Sequence, residues 1–347
     1  MNHNSTPVIS MPESASWIVN KLTDRGYQVC LFGACVRDSL LGITPDAWNI
    51  ATSASPEEVR SLFGKTGDAG CGYGTITVWI SGESYEVSSF RTEDGLKELL
   101  KKQAFTADAL AWNDREGLID PFGGRRDLQE KTISCIGNPG DLFKEHPIYM
   151  LQAIRLSGQL NFSIDPGTRE AISENYQQLS KVSMDLIRTE LMKLLTSSHP
   201  DRIRDAFSLK LTSVFLPEFD TMMVTPQDNP HHCYSVGEHT IHALMAAPAI
   251  PALRLAVLLH DIGKPATRST DPAGIDHFYG HNERGAELAD SILKRLAFDD
   301  PTRDTVIALI ANHDVRFRDS LTTGRSHVRK MCAKVGADLF PWLLDVM

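Results

Sequence analysis

Between His239 and Asp314 the chain sets out HTIHAL, LLHDIGKP, HFYGHNERGAELA and ANHD in that order. These segments supply His239, His260, Asp261, His281, His313 and Asp314, with Lys264 one turn beyond the adjacent His-Asp pair. Imidazole and carboxylate together are ligands of a divalent metal, and such an ion lowers the pKa of a bound water enough to make it a nucleophile. The histidines argue against magnesium alone and leave manganese, nickel, cobalt and iron open. Lys264 and Arg284 are cations that could stabilise negative charge on phosphoryl oxygens. Their plain readings, a helix-end cation and a solvated face residue, stay open beside that one. A protonated His281 or His313 could protonate a leaving oxygen, since an imidazole exchanges protons near neutrality. His242 and His277 fall outside the pattern and read as structural or surface residues, and His231 and His232 lie in a linker.

The elements that must position these groups follow from periodicity. ESASWIVNKLTDR has helical spacing and stops at Gly26; YQVCLF reads as a strand, and GACVRDSLLG as a turn entering a helix. Ser55 and Pro56 open a further helix, and GTITVWI and YEVSSFR alternate as paired strands. From Asp141 to about Thr225 the pattern is helical, broken at DPGT, and a proline-containing linker leads to a third region read as helical throughout. The expected fold class is α+β. A mixed-sheet head spans 1–140, a helical neck 141–225, and an all-α metal-binding domain 226–347. GADLFPWLLDVM ends in an uncapped apolar helical pattern, so the natural chain is expected to continue past Met347.

Composition narrows the class. The chain has 347 residues, 42% hydrophobic and 23% charged, enough for a substantial core in two or three domains. A net charge of -9 does not suggest a general nucleic-acid binder, although a local basic groove would not show in the sum. No signal peptide and no run of eighteen apolar residues is read, so no membrane is expected and a cytoplasmic setting is. Six scattered cysteines without a CxxC pair read as reduced thiols.

GACVRDSLLG, DAWNIATSASPEEV, YEVSSFR, KKQAFTADALAW, GLIDPFGGRRDL and EHPIYMLQAIR resemble, in this order, the head and neck of class II tRNA nucleotidyltransferases and bacterial poly(A) polymerases. The histidine-rich region resembles the HD phosphohydrolase domain that some members carry behind the neck. The resemblance implies a nucleotide pocket built on Gly33 and Arg37, with magnesium held by an Asp-x-Asp before Ile-Ala-Thr. Ala47 and Asn49 stand at those two positions. Alanine has no ligand atom, and an asparagine oxygen carries no net charge. Asp46 would point to the opposite face of a strand, and Glu86 would be a strand carboxylate paired with Arg91. Lys102, Gln103 and Ala104 replace the family's two arginines and an aspartate, and Asp108 adds negative charge where a triphosphate should sit. Glu145, His146 and Tyr149 replace its base-reading Glu-Asp-x-x-Arg. The front site is therefore expected to be vestigial and to hold no magnesium.

In the rear, the resemblance implies one metal on His239, His260, Asp261 and Asp314, with His281 and His313 facing a phosphate or a second ion. The leading expectation is a metal-dependent phosphohydrolase or phosphodiesterase acting on nucleotides, 2′,3′-cyclic phosphates or RNA ends, behind a defective head. An active CCA-adding enzyme or poly(A) polymerase is one alternative. A non-catalytic RNA-binding protein is another, with Lys97, Lys101, Lys102, Arg125, Arg126, Arg155 and Arg188 as candidate phosphate contacts.

Overall fold

A computed structural model describes residues 9–68, 74–228, 233–314 and 321–347, which divide into two compact units, Met1–Pro139 and Gly140–Met347. The chain is of mixed α+β class, with its seven-stranded sheet confined to the first unit.

In the first unit, α1 (Glu13–Thr23) precedes β1 (Val29–Phe32), α2 (Ala34–Leu40) and β2 (Asn49–Thr52). Next come α3 (Pro56–Leu62), β3 (Thr66–Asp68), β4 (Thr75–Ile80), β5 (Glu83–Ser89) and α4 (Glu93–Lys101). Then come β6 (Ala111–Asn113), β7 (Gly117–Ile119) and α5 (Gly124–Glu130). Its seven-stranded sheet runs β3-β4-β5-β2-β1-β6-β7; β2 pairs with β5 in parallel and every other neighbour is antiparallel. Alternation explains the strands, since Ile76 and Val78 of β4 are buried while their neighbours are less so. Ser55 and Glu58 close a reciprocal capping box at α3, as Ser-Pro-Glu-Glu dictates. On one side of the sheet Cys30, Phe32, Ala51, Ala111 and Leu100 form a core against which Leu96 and Leu99 of α4 pack.

The second unit is built of helices. Those that matter here are α6 (Pro139–Glu145), α7 (Ile148–Leu160), α8 (Pro166–Asn175), α9 (Met184–Leu195), α10 (Ile203–Ser208), α11 (Thr212–Phe215) and α12 (Pro217–Val224). They are followed by α13 (Val236–Ala246), α14 (Pro251–Leu259), α15 (Lys264–Thr267), α16 (His281–Arg295) and α17 (Asp300–Asn312). The expectation of helix throughout the third region is corrected by a hairpin, β8 (Ser269–Thr270) and β9 (Asp276–His277), between α15 and α16. Two-residue strands leave no periodicity to read; the hairpin is held instead by its turn and by a buried carboxylate. Asp276 accepts from Thr270 Oγ1 at 2.7 Å, Arg268 Nε at 2.9 Å and the Asp228 N–H at 3.0 Å. No helix among the described residues is long and apolar enough to cross a membrane.

One buried cation ties the helices together. Arg254 on α14 donates through Nε to the carbonyls of Ala247 and Pro248, at 2.9 and 3.0 Å, and through Nη1 to Leu195 O at 2.9 Å. Positive charge thus sits at the carboxyl ends of α13 and α9, where terminal carbonyls lack helical partners. Arg254→Met keeps the apolar stem and strands those carbonyls. It should lower unfolding stability by about 2–4 kcal/mol, measured by urea denaturation; an unchanged midpoint would refute the role.

Candidate functional site

The chain leaves α14 at His260, which is what lets two adjacent residues point at one place. His260 is the C-cap of α14 and Asp261 lies in the turn before α15. A Cβ at Gly263 would stand 2.2 Å from His281 O and 2.6 Å from the Gly285 nitrogen, so only glycine lets the start of α16 lie against this turn. That contact delivers His281; His313 arrives as the C-cap of α17, and His239 from α13. The ligating atoms of His239, His260 and Asp261 lie within 4.8 Å of one another, as do those of Asp261, His281 and His313. Asp261 is shared. Asp314, expected as the fourth ligand, is exposed and belongs to neither group.

Three of the rings are held the same way. Nδ1 of His260, His281 and His313 donates to Val257 O, Phe278 O and Ile310 O, at 2.7, 2.8 and 2.7 Å. Carbonyls only accept, so Nδ1 carries the proton and Nε2 turns inward as the metal-binding nitrogen. His281 Nε2 is then 3.2 Å from His313 Nε2, and His260 Nε2 is 3.1 Å from Asp261 Oδ2. Acceptors facing acceptors need a proton or a cation between them. Asp261 Oδ2 is buried without an aligned hydrogen bond, although Lys264 Nζ is 2.8 Å away as an ion pair. The donor set therefore fits a divalent cation. Burial opposes charge on Asp261, but His260, His313 and Lys264 outweigh it and hold the carboxyl well below its usual range. Burial likewise lowers His260, and the Asp261 charge more than reverses this. At His281 burial prevails and the imidazole is pulled down. Arg284 pairs with Glu287 on the exposed side of α16, as in its plain reading.

In the first unit, Gly33 joins β1 to α2 with φ +83° and donates its N–H to Leu110 O at 2.9 Å. A side chain there would meet Asn49 Nδ2 at 3.4 Å and Gln103 Oε1 at 3.5 Å, so glycine keeps a small cradle open. Arg37 is buried beside it and paired with Asp38 at 2.8 Å and with Asp108. Burial works against its charge, but Asp108 and Asp38 overcome this and raise the guanidinium. Asp108 is thus held by Arg37, which it shares with Asp38. Asn49 lies in register with Glu86 on the parallel neighbour, and the two share one face. Among the described residues no ion pair joins Glu86 to Arg91, contrary to expectation. Asp46 and Ala47 are exposed and precede β2, so strand alternation does not direct Asp46. Lys102 caps the end of α4 and is exposed. In the second unit, Glu145 ends α6 and is exposed; the His146 and Tyr149 rings lie 5.4 Å apart at the start of α7.

Three family models match the chain in succession. The poly A polymerase head domain covers residues 29–134, the probable RNA and SrmB-binding site of polymerase A covers 161–223, and the HD domain covers 231–335. The chain thus carries a poly A polymerase head domain, the RNA-binding region of that polymerase and an HD domain, in that order. It is 41% identical over 192 residues to a CCA-adding enzyme of Lactobacillus delbrueckii subsp. bulgaricus, covering 51% of this chain and 48% of that protein. The chain spans about half the length of the curated relatives it matches. The CCA-adding enzyme of Bacillus stearothermophilus in complex with CTP superposes with a TM-score of 0.67 at 26% identity, over 97% of this chain and 82% of that one. A Thermotoga maritima CCA-adding enzyme complexed with tRNA shares the fold, with a TM-score of 0.63 at 19% identity.

These likenesses overturn the expectation of a hydrolase behind a defective head, because the relatives are CCA-adding enzymes. They also give no support to discounting nucleotidyl transfer, or magnesium, in the head. Sequence reasoning missed Gly263 and Gly285 as the contact that brings His281 to Asp261; their signal was a glycine in each of IGK and ERG.

The buried His260–Asp261 pair has a defined pH signature. His260 is raised in the folded chain, so its contribution is full below the unfolded imidazole value and is lost as pH rises through the folded one. Asp261 is depressed, so its contribution is present above the unfolded carboxyl value and is lost as pH falls through the folded one. The pair stabilises most between about pH 4 and 6.5. With chelator present, Asp261→Asn should therefore destabilise the protein more at about pH 6 than at about pH 9 in urea unfolding. Equal losses at both pH values would contradict the pairing.

Proposed function

We propose that this chain acts at tRNA 3′ ends as a CCA-adding nucleotidyltransferase, joining nucleotides from CTP and ATP to the terminal hydroxyl. The carrying observation is the likeness of nearly the whole chain, head through HD domain, to a CCA-adding enzyme solved with CTP. The open Gly33 turn and buried Arg37 support it as retained parts of a nucleotide cradle. In the reaction the RNA hydroxyl oxygen bonds to the α-phosphorus, pyrophosphate departs, and the hydroxyl proton passes to water. The acidic groups that remain for a magnesium ion are Glu86, in register with Asn49, and Asp46 ahead of β2. Lys97, Lys101, Lys102, Arg125 and Arg126 are the head's candidate phosphate contacts, Arg126 also pairing with Asp127 at 3.3 Å; in the neck Arg155 is paired with Glu190 and Arg188 with Asp185. In this reading the head ends near 140 and the neck near 225. The HD cluster of His239, His260, Asp261, His281 and His313 holds a divalent transition metal, and a tRNA substrate sets the work in the cytoplasm.

Ala47 and Asn49 favour a second reading, in which the head holds nucleotide and RNA end without transfer. The test is incorporation of labelled CTP and ATP into tRNA lacking its end, with magnesium. If transfer occurs, Glu86→Gln should slow it at least about 100-fold, and the Ala47→Asp, Asn49→Asp double variant should accelerate it about 100- to 1,000-fold. Salt-sensitive tRNA binding without incorporation would establish the second reading. Neither binding nor incorporation would remove both.

The metal assignment has its own check. Elemental analysis of the purified full chain should find a transition metal, lost in Asp261→Asn and kept in Asp314→Asn. Loss in Asp314→Asn alone would restore the ligand set expected from sequence.

A further inference from the structure

Beside the HD cluster lies a cavity of about 280 Å³, lined by Val224, Pro226, Gln227, Asp228, Tyr234 and Ser235 among others. Its volume is close to the lower end of small-ligand sites, about 300 Å³. Tyr234 is 46% exposed, yet its ring is already oriented, stacked on His242 at 4.4 Å with an interplanar angle of 28°. Gln227 is buried and fixed at both ends of its amide, accepting from Lys264 Nζ at 2.8 Å and donating to Tyr234 O at 3.4 Å. Lys264 Nζ in turn lies 2.8 Å from Asp261. Gln227 of the cavity wall and Asp261 of the cluster thus hold the same ammonium group. The backbone of Asp228 is pinned to Asp276, by N–H to Oδ2 at 3.0 Å and by its carbonyl to the Asp276 N–H at 2.9 Å. Its carboxylate is left largely exposed, with Arg268 Nη2 at 3.7 Å.

An oriented aromatic ring, a carboxylate that can only accept, and a cation one residue away make a recognisable set. We propose that this cavity binds the base of a terminal nucleotide carrying an exocyclic amino group, adenine or cytosine. The ring of Tyr234 stacks on the base, Asp228 accepts from the amino group, and Lys264 meets the attached phosphate. Stacking on an aromatic side chain tolerates any base, so discrimination falls to Asp228, which accepts from the amino group at the 6-position of adenine or the 4-position of cytosine and is repelled by the carbonyl that hypoxanthine or uracil carries there. This rests on the reading that the chain engages RNA ends, and it places a second contact for such an end in the HD-bearing unit.

The test is photolabelling of the full chain with 8-azidoadenosine 5′-monophosphate, followed by peptide mapping. Label should appear on the peptide containing residues 224–235, protected by AMP more strongly than by IMP, which lacks the amino group. Tyr234→Ala should raise the AMP concentration needed for protection about ten-fold or more, Tyr234→Phe should leave it near wild type, and Asp228→Asn should abolish the preference for AMP. Label confined to residues 9–139, or AMP protection unchanged in Tyr234→Ala, would overturn the proposal. Labelling at 224–235 in a protein that incorporates no CTP would remove the transfer reading and leave this site standing.

Discussion

A carboxylate buried in a helical core is the constraint around which the second unit is arranged. Asp261 is 1% exposed, and an unpaired charge at such depth would be prohibitively costly. The fold answers with elements that all end there. α14 stops at His260, α16 begins at His281, and α17 closes at His313. Each ring spends its Nδ1 proton on a carbonyl three residues back in the chain, so its orientation is set by its own helix end or turn and not by the ligand. Preorganised nitrogens of this kind lose little freedom when a cation arrives. Gly263 completes the arrangement, since any larger residue would push α16 away from the turn that carries Asp261.

The histidine and aspartate order was legible because ligand types recur at helix-length spacings, and a lone buried acid demands company. What was not legible was distance. Asp314 follows His313 directly, as Asp261 follows His260, and the parallel spacing suggested parallel roles. One residue of rotation past the helix end instead puts Asp314 in solvent. The β8–β9 hairpin was hidden because two residues cannot show a period, and its stability comes from Asp276 and its three donors. Gly33, by contrast, was readable: a glycine between an apolar strand and a helix is the usual means of a positive φ at a close turn, and φ is +83°. Asp108 looked like a misplaced negative charge until Arg37, distant in sequence, was found beside it.

The two units therefore differ in how far the residue types alone could be trusted. In the rear, chemistry was carried by side chains present in the sequence, and geometry had only to gather them. In the head the telling side chains are missing ones, and an absence reveals less than the whole-chain likeness to CCA-adding enzymes does. The scaffold keeps a glycine turn, a buried guanidinium and a seven-stranded sheet, and it superposes over 97% of its length on 82% of a CCA-adding enzyme.

Placement and rate are separate matters, and magnitudes divide them. Removing one unit charge about 4 Å from a cation forfeits about 4 kcal/mol at an effective dielectric constant of 20, close to three decades in rate. Ala47 and Asn49 remove two, so measurable transfer requires that other carboxylates stand in. Glu86 is fixed by the β2–β5 register on the face of Asn49, and it can supply one. Asp46 precedes β2, where no ladder bond dictates the direction of its side chain, so the alternation that would have turned it away does not operate. Under the proposed transfer reading, the head's chemistry thus rests on two carboxylates outside the expected pair, one fixed by the sheet and one free of it.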